Sequence, residues 1–526
     1  MQGGDTHTHY ELRRETATLT IGDLLAGEKP ENTSGAAKDT QDRAPILEAL
    51  QTHLRANSTS FDVPGHQAGN AAPHSVTRLI GKDAFAADAT TQKGLDDRRE
   101  RKRVRQRAER LAAELWGATH CFFSTNGTSL SNHAAALAAA GPGDTVLVSR
   151  NSHKSLIGSL ILANVRPVFL EPDYDGEWDI GHGVPARELE QKLSANPDTK
   201  AVFIIGPTYF GITPDIAALA KLCHDRRIPL IVDEAWGPHF AFHPEMPVAA
   251  IRRGADISVG SIHKTMAGLE QASFMLLNSD LIQPDRFNIC YDLFETTSPS
   301  GLILASIDAT RRQFAEEGQK LVQRTLDLAR YARDEISKMD GIRVMGRAVL
   351  DGDSRHSMDE TKVVLDISGL GVNGYEAEDW LIREKKLCLG LSDERRLLII
   401  FTIGHDAKAT DELLSSLRAM AQWARDGGSD KKGLRPEIPK LHTLRAEQVL
   451  TPAEAFYAAS KRVPLEDASG EIAAEMLSPY PPGIPRVIPG QRITDEQVHY
   501  LRISMELGTF PYDASDLELR TVRVVA

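Results

Sequence analysis

Between residues 122 and 278 short apolar runs alternate with helical stretches, and few folds accommodate that rhythm. The runs at 145–148, 167–170, 201–205, 229–232, 257–259 and 274–277 are almost unbroken by polar side chains. A strand with one wet face alternates polar and apolar residues. A run without alternation is expected where helices cover both faces of a mainly parallel sheet. The segments 131–140 and 215–224 have the pattern of such helices, so the fold class is α/β with right-handed crossovers.

A chain of 526 residues exceeds one simple core, and two or three domains are expected. Residues 1–44 read as a polar N-terminal arm and 45–304 as a large α/β domain. Residues 305–425 carry a long helix at 305–338, strands at 342–345, 362–367 and 397–401, and helices at 375–385 and 410–425. These make a smaller α+β domain. The stretch 426–439 breaks composition with Gly, Pro and charge and reads as a linker, and 440–526 form a C-terminal α+β domain. A helical pattern over 92–116 is dense in arginine, with Glu100 and Glu109 interspersed. It reads as a solvated helix face.

The net charge of −12 argues against a nucleic-acid partner, which requires a basic footprint. Cys121, Cys223, Cys290 and Cys388 are scattered, without CxxC or metal-ligand spacing. They read as small core residues in a reducing compartment, with no metal. No apolar leader opens the sequence and no run of eighteen apolar residues occurs, so a cytoplasmic protein without membrane attachment is expected.

Four places carry chemistry. Ser261, Ile262, His263, Lys264 and Thr265 follow the apolar run 257–259. A lysine at the C-terminal mouth of a parallel sheet stands where such folds bind ligands. It can form a Schiff base there while its neighbours hold a phosphate. Asp233 ends the run 228–232 and can pair with a pyridinium nitrogen. That pairing turns the ring into an electron sink, the chemistry of pyridoxal 5′-phosphate (PLP). Ser124 to Ser129 read Ser-Thr-Asn-Gly-Thr-Ser before an alanine-rich helix. Free N–H groups and hydroxyls at such a helix start make a phosphate seat. His153, just past the run 145–148, can stack on a pyridine face and pass protons. Each has an ordinary alternative as a loop lysine, a capping Asp, a turn or a loop histidine; their joint spacing is what points to one site.

These motifs, in this order, resemble the bacterial Orn/Lys/Arg decarboxylase family of fold type I PLP enzymes, in its short form without an N-terminal wing domain. The resemblance runs from about residue 45 to the C-terminus. It takes in Phe61-Asp62-Val63-Pro64-Gly65-His66, the turn at Asn126–Ser129, and Ser152-His153-Lys154-Ser155. Further pieces are Pro207-Thr208-Tyr209-Phe210-Gly211, Asp233-Glu234-Ala235-Trp236, Ser261–Thr265, and Tyr480-Pro481-Pro482-Gly483-Ile484-Pro485 with Pro489-Gly490. It implies a large domain like that of aspartate aminotransferase, built on a mainly parallel seven-stranded sheet. Lys264 then carries PLP as a Schiff base, Asp233 holds the pyridinium nitrogen, His153 stacks on the ring, Ala235 packs on its other face and Trp236 lies nearby. Ser261, His263, Thr128 and Ser129 hold the phosphate.

The implied reaction is PLP-dependent α-decarboxylation of arginine, lysine or ornithine, with arginine slightly favoured, by a homodimer or higher homo-oligomer. Three departures from the family pattern stand out: Gln67 where Lys often follows Pro-Gly-His, Gly260 where Gln often precedes the serine, and Gln491 where Glu commonly follows Pro-Gly. Gln491 removes a carboxylate that helps hold a cationic side chain. An oxidase, transaminase or lyase acting on a basic amino acid in a specialised pathway is therefore the alternative. A catalytically silent regulatory homologue is the remote one.

Overall fold

The computed structural model describes residues 39–56, 58–90, 103–352, 354–428, 438–480 and 483–526. Most of the expected N-terminal arm, the start of the arginine-rich stretch, most of the expected linker, and Pro481 and Pro482 lie outside the described residues.

A seven-stranded sheet organises the first half of the chain. Its strands are β1 (His120–Ser124), β2 (Thr145–Ser149), β3 (Arg166–Leu170), β4 (Ala201–Ile205), β5 (Leu230–Asp233), β6 (Ile257–Ser261) and β7 (Ser273–Leu277). Their spatial order is β1-β7-β6-β5-β4-β2-β3. Only β7 runs against the others, pairing antiparallel with β1 and β6. All residues of β2, β4, β5, β6 and β7 are buried. That two-sided burial is why the apolar runs show no alternation. The fold is the expected α/β class.

Helices α1 (Pro45–Ala56), α2 (Arg103–Trp116), α3 (Gly127–Ala139) and α4 (Lys154–Ala163) belong to this first part. The small side chains of α3 let it pack closely on α4, with Leu130, Ala134, Leu156 and Leu160 in one core. Part of the arginine-rich α2 is the solvated face expected of it, with Arg103, Gln106 and Arg110 exposed, but Arg105 turns inward. Arg105 pairs with Glu109 at 2.9 Å and with Glu295 at 3.7 Å, and donates to Phe123 O and Tyr291 Oη. Arg105 is tolerated inside because Glu109, four residues on, supplies the nearer counter-charge, with Tyr291 and Glu295 beside it.

Helix α5 (Gly301–Ile336) starts four residues earlier than expected because Ser300 caps it, accepting from Ile303 N–H. At 1.5 Å per residue it is about 54 Å long. Its N-terminal two thirds, including Leu304, Phe314 and Val322, pack in the core of the large sheet. The rest, including Ala329, Ala332 and Ile336, packs under a second sheet. That sheet contains β8 (Arg343–Val344), β9 (Lys362–Asp366), β10 (Leu391–Ser392) and β11 (Arg396–Ile400), in the antiparallel order β8-β9-β11-β10. The helix expected at 375–385 is regular only over Gly374–Trp380 and widens to a π turn at Leu381–Lys385. Helix α6 (Ala407–Arg425) covers this sheet, capped by Asp406.

The C-terminal part pairs β12 (Ser460–Pro464) with β13 (Thr521–Val525). Between them lies α7 (Asp495–Leu507), started by a Thr494–Gln497 capping box. Three of the cysteines are buried as expected, but Cys388 is exposed, on the loop after the π turn. No helix among the described residues is long and apolar enough to cross a membrane.

Candidate active site

The strand register aligns three serines at one edge of the sheet. Ser124 lies opposite Ser273, and Ser273 opposite Ser261. Ser124 ends β1 just before the turn into α3, and Ser261 ends β6 just before Lys264. The two turns therefore leave the sheet side by side. Gly127 donates its N–H to Gln271 O at 3.0 Å and adopts φ +67°, a left-handed conformation suited to glycine. Open space lies where its Cβ would be. Thr128 and Ser129 occupy the first turn of α3, where N–H groups lack helical partners.

Beside them, Ser261 Oγ and Thr265 Oγ1 are buried with no hydrogen-bond partner among the described residues. Buried hydroxyls are seldom left unpaired, so the pair marks a place for a polar ligand. The two unpaired hydroxyls and the start of α3 fit the phosphate of PLP. His263 is 3.0 Å from Ala272 O through Nδ1. Nδ1 thus carries a proton, and Nε2 donates to an anion only after a second protonation. Burial opposes that step by lowering the pKa.

Asp233 ends β5 with both carboxylate oxygens engaged. Asn132 Nδ2 donates to Oδ2 at 3.0 Å, and the Ala235 N–H donates to Oδ1 at 3.1 Å. The same Asn132 nitrogen donates to Ser155 Oγ at 3.0 Å, and Ser155 Oγ lies 2.9 Å from His153 Nδ1. Because the Ser155 N–H also donates to Nδ1, at 3.2 Å, the ring proton of neutral His153 sits on Nε2. This contact makes His153 the N-cap of α4 and fixes its ring. Burial pulls the His153 pKa down to about 4, with Lys264 adding to the fall and Asp233 opposing it.

Lys264 Nζ stands 4.4 Å from the ring centre of Trp236. Burial lowers its pKa to about 8, against the pull of Asp233 and with the help of Lys362. Trp236 in turn meets Tyr209 edge to face, with ring centres 6.2 Å apart. The structure thus gathers Lys264, Asp233, His153, Ala235 and Trp236 at the C-terminal ends of β2, β5 and β6. Thr128, Ser129, Ser261 and His263 stand along the neighbouring edge.

Sequence reasoning missed Asn132, Ser155 and Lys362. The first left a signal: an asparagine among the alanines of α3 is a polar group that must find a buried partner.

The three departures are accounted for by packing. A Cβ on Gly260 would come within 2.9 Å of the Phe274 ring, its cross-strand neighbour, so the phenylalanine takes up the space a side chain at 260 would need. Gln67 donates to Asp62 O and Pro64 O. Gln491 is 1% exposed and accepts from Ile488 N–H at 3.1 Å. Both glutamines hold their own turns.

Comparison with known proteins places this arrangement. The family model described as Orn/Lys/Arg decarboxylase, major domain, matches residues 44–409, and the corresponding C-terminal domain model matches 439–512. The chain belongs to the Orn/Lys/Arg decarboxylase family. It is 35% identical to the arginine decarboxylase of Bacillus subtilis (strain 168), over 92% of this chain and 98% of that protein. It is 34% identical to the arginine decarboxylase of Halalkalibacterium halodurans, with the same coverage. The crystal structure of the Francisella novicida lysine decarboxylase superposes with a TM-score of 0.76 at 22% identity, over 92% of this chain and 81% of that one. That likeness confirms the fold type I architecture. The family is one of PLP-dependent amino-acid decarboxylases, and the chain is an enzyme of that kind.

Proposed function

We propose that this enzyme decarboxylates a basic amino acid, arginine first, with PLP held on Lys264. The observation that carries the reading is the set of hydrogen bonds joining Asp233, Asn132, Ser155 and His153 beside a buried Lys264. Arginine is favoured because relatives at 34–35% identity bear the name arginine decarboxylase.

When bound, PLP supplies the electron sink that accepts the pair left behind by the departing carboxylate. The chain's own residues do the rest. Lys264 Nζ, with a pKa of about 8, exists partly as the free amine that covalent attachment requires. The same poise lets Nζ take and return a proton near neutral pH. Asp233, held by Asn132 and the Ala235 N–H, presents a fixed negative charge to the pyridinium nitrogen. His153, neutral and pinned at Nδ1, would offer a flat face to the ring, and the proton for the substrate carbon is left to Lys264 Nζ. Ala235 leaves room on the opposite face, with Trp236 nearby. Ser261, Thr128 and Ser129 hold the phosphate, joined by His263 when doubly protonated. Gln67 and Gln491 are bound to their own turns, and nothing among the described residues favours the oxidase, transaminase or lyase alternative.

We also propose the division into domains at 45–304, 305–425 and 440–526, with α5 running across the first boundary and serving both cores, and assembly as at least a homodimer. The reading is tested by incubating the PLP-loaded protein separately with arginine, lysine and ornithine and identifying products by mass. Agmatine and carbon dioxide from arginine are expected, and neither from a Lys264→Ala control. A keto acid or an oxidised product in place of the amine overturns it.

A further inference from the structure

A second lysine stands at the same tryptophan. Lys362 opens β9 of the second sheet, and its Nζ lies 4.6 Å from the Trp236 ring centre. Lys264 Nζ is 4.4 Å from that centre, so the two nitrogens are within about 9 Å of each other. Lys362 is fully buried and its ion-pair partner Asp359, at 3.2 Å, is too. Asp359 is held further by Thr361, whose N–H and hydroxyl donate to Oδ1 at 3.0 and 2.6 Å, and by His239 at 3.4 Å. Lys362 and His239 keep the carboxylate ionised in spite of its burial.

The cluster is locked to the loops of the catalytic mouth. Asp359 N–H donates to Gly211 O at 2.8 Å. Gly211 has φ +87°, and a Cβ there would be 3.0 Å from Asp359 O and 3.3 Å from the Lys362 side chain. A buried ion pair seldom stabilises a fold more than apolar residues of the same volume do. Its placement against the tryptophan that Lys264 touches points to a role at that site.

Resting on the reading of Lys264 as the point of cofactor attachment, we propose that Lys362 is a positioning residue for the reaction. Anchored on Asp359, it holds the Trp236 indole against Lys264 Nζ and keeps that nitrogen in the field of a second positive charge. The charged groups that Lys264 feels are Asp233, which favours the ammonium, and Lys362, which disfavours it, while His153 is neutral. Lys362 thereby keeps part of Lys264 in its nucleophilic form, and it ties the second sheet to the catalytic lysine.

The test reads Lys264 directly, without substrate. The full-length chain, freed of cofactor, is acylated with limiting acetic anhydride across a pH series. The extent of labelling at Lys264 is then followed by peptide mass spectrometry. In Lys362→Met the midpoint is expected to rise by about half a pH unit or more, as loss of a nearby like charge requires. Lys362→Arg, which keeps the charge, is expected to restore it. Lys362→Met/Asp359→Asn removes both buried charges and guards against misfolding; a rise in the same direction is expected, because Lys362 is the member of the pair that stands on the tryptophan Lys264 touches. In the PLP-loaded enzyme, turnover of arginine is expected to fall roughly tenfold with KM little changed. An unchanged midpoint in a folded Lys362→Met or double variant overturns the proposal, as does a Lys362→Arg chain that behaves like Lys362→Met. Absence of arginine turnover in the unaltered enzyme would instead count against the proposed function, leaving the labelling result intact.

Discussion

Asp233, the last residue of β5, and Glu234, just past it, are adjacent carboxylates, and their surroundings give them opposite tasks. Asp233 receives N–H groups on both oxygens and faces Lys264. Its charge matters most as electrons enter the ring, so Asp233→Ala is expected to lower kcat on the order of a hundredfold while KM changes little. Steady-state kinetics on PLP-saturated enzyme check this; a raised KM with intact kcat would make Asp233 structural. Glu234 is buried, and burial outweighs the donors Ser258 Oγ at 2.7 Å and Ala250 N–H at 2.8 Å, raising its pKa to about 8. It is therefore protonated at neutral pH. A carboxyl whose folded pKa is raised contributes stability in full below its unfolded value, near 4.5, and loses it as pH rises through about 8. The thermal midpoint is expected to fall between about pH 5 and 8, and to fall less in Glu234→Gln, which keeps one acceptor for Ala250 and one donor for Ser258. Equal slopes in the two proteins would rule Glu234 out as the titrating group.

Among the elements, α3 does two things at once. Its first turn lies beside Ser261, and one turn further on Asn132 bridges Asp233 to Ser155. Asn132→Leu removes both donors and leaves two buried acceptors short of partners, a cost of about 1–3 kcal/mol each. It also frees the hydroxyl that steadies His153. A drop in urea midpoint together with at least a tenfold loss of kcat is expected; loss of stability alone would confine Asn132 to packing. The strands were readable in the sequence because burial on both faces writes itself as unbroken apolar runs. The lysine, aspartate and histidine of the site were readable because each closes or follows such a run. Arg105 and Lys362 were not. What each touches includes Tyr291 in one case and Trp236 in the other, more than a hundred residues away, and no local period encodes a partner that distant. Lys362 in addition opens an apolar run, where it passes for the first residue of a strand.

At the scale of the whole molecule, the described surface is unevenly apolar. Phe61 is wholly exposed, and Val63, Leu79 and Ile80 are each more than half exposed. Isolated apolar residues on a surface are ordinary, but here four fall within twenty residues, on the segment that carries the Pro64-Gly65-His66 motif. Such a concentration fits the homodimer proposed above, which is expected to cover it. The chain is acidic overall, so charge gives two copies no reason to associate, and apolar burial has to supply the attraction. A two-fold dimer lets one patch serve both partners. An interface of the obligate type, about 2,000 Å² or more, is expected. Sedimentation at micromolar concentration is expected to give at least twice the chain mass of 57.7 kDa. Phe61→Asp/Leu79→Asp, which places charges in the patch without touching Lys264 or its neighbours, is expected to shift the protein toward monomer and to lose decarboxylation in parallel. A variant that remains dimeric would move the interface elsewhere on the surface, and a PLP-loaded monomer with full activity would place the entire site on one chain.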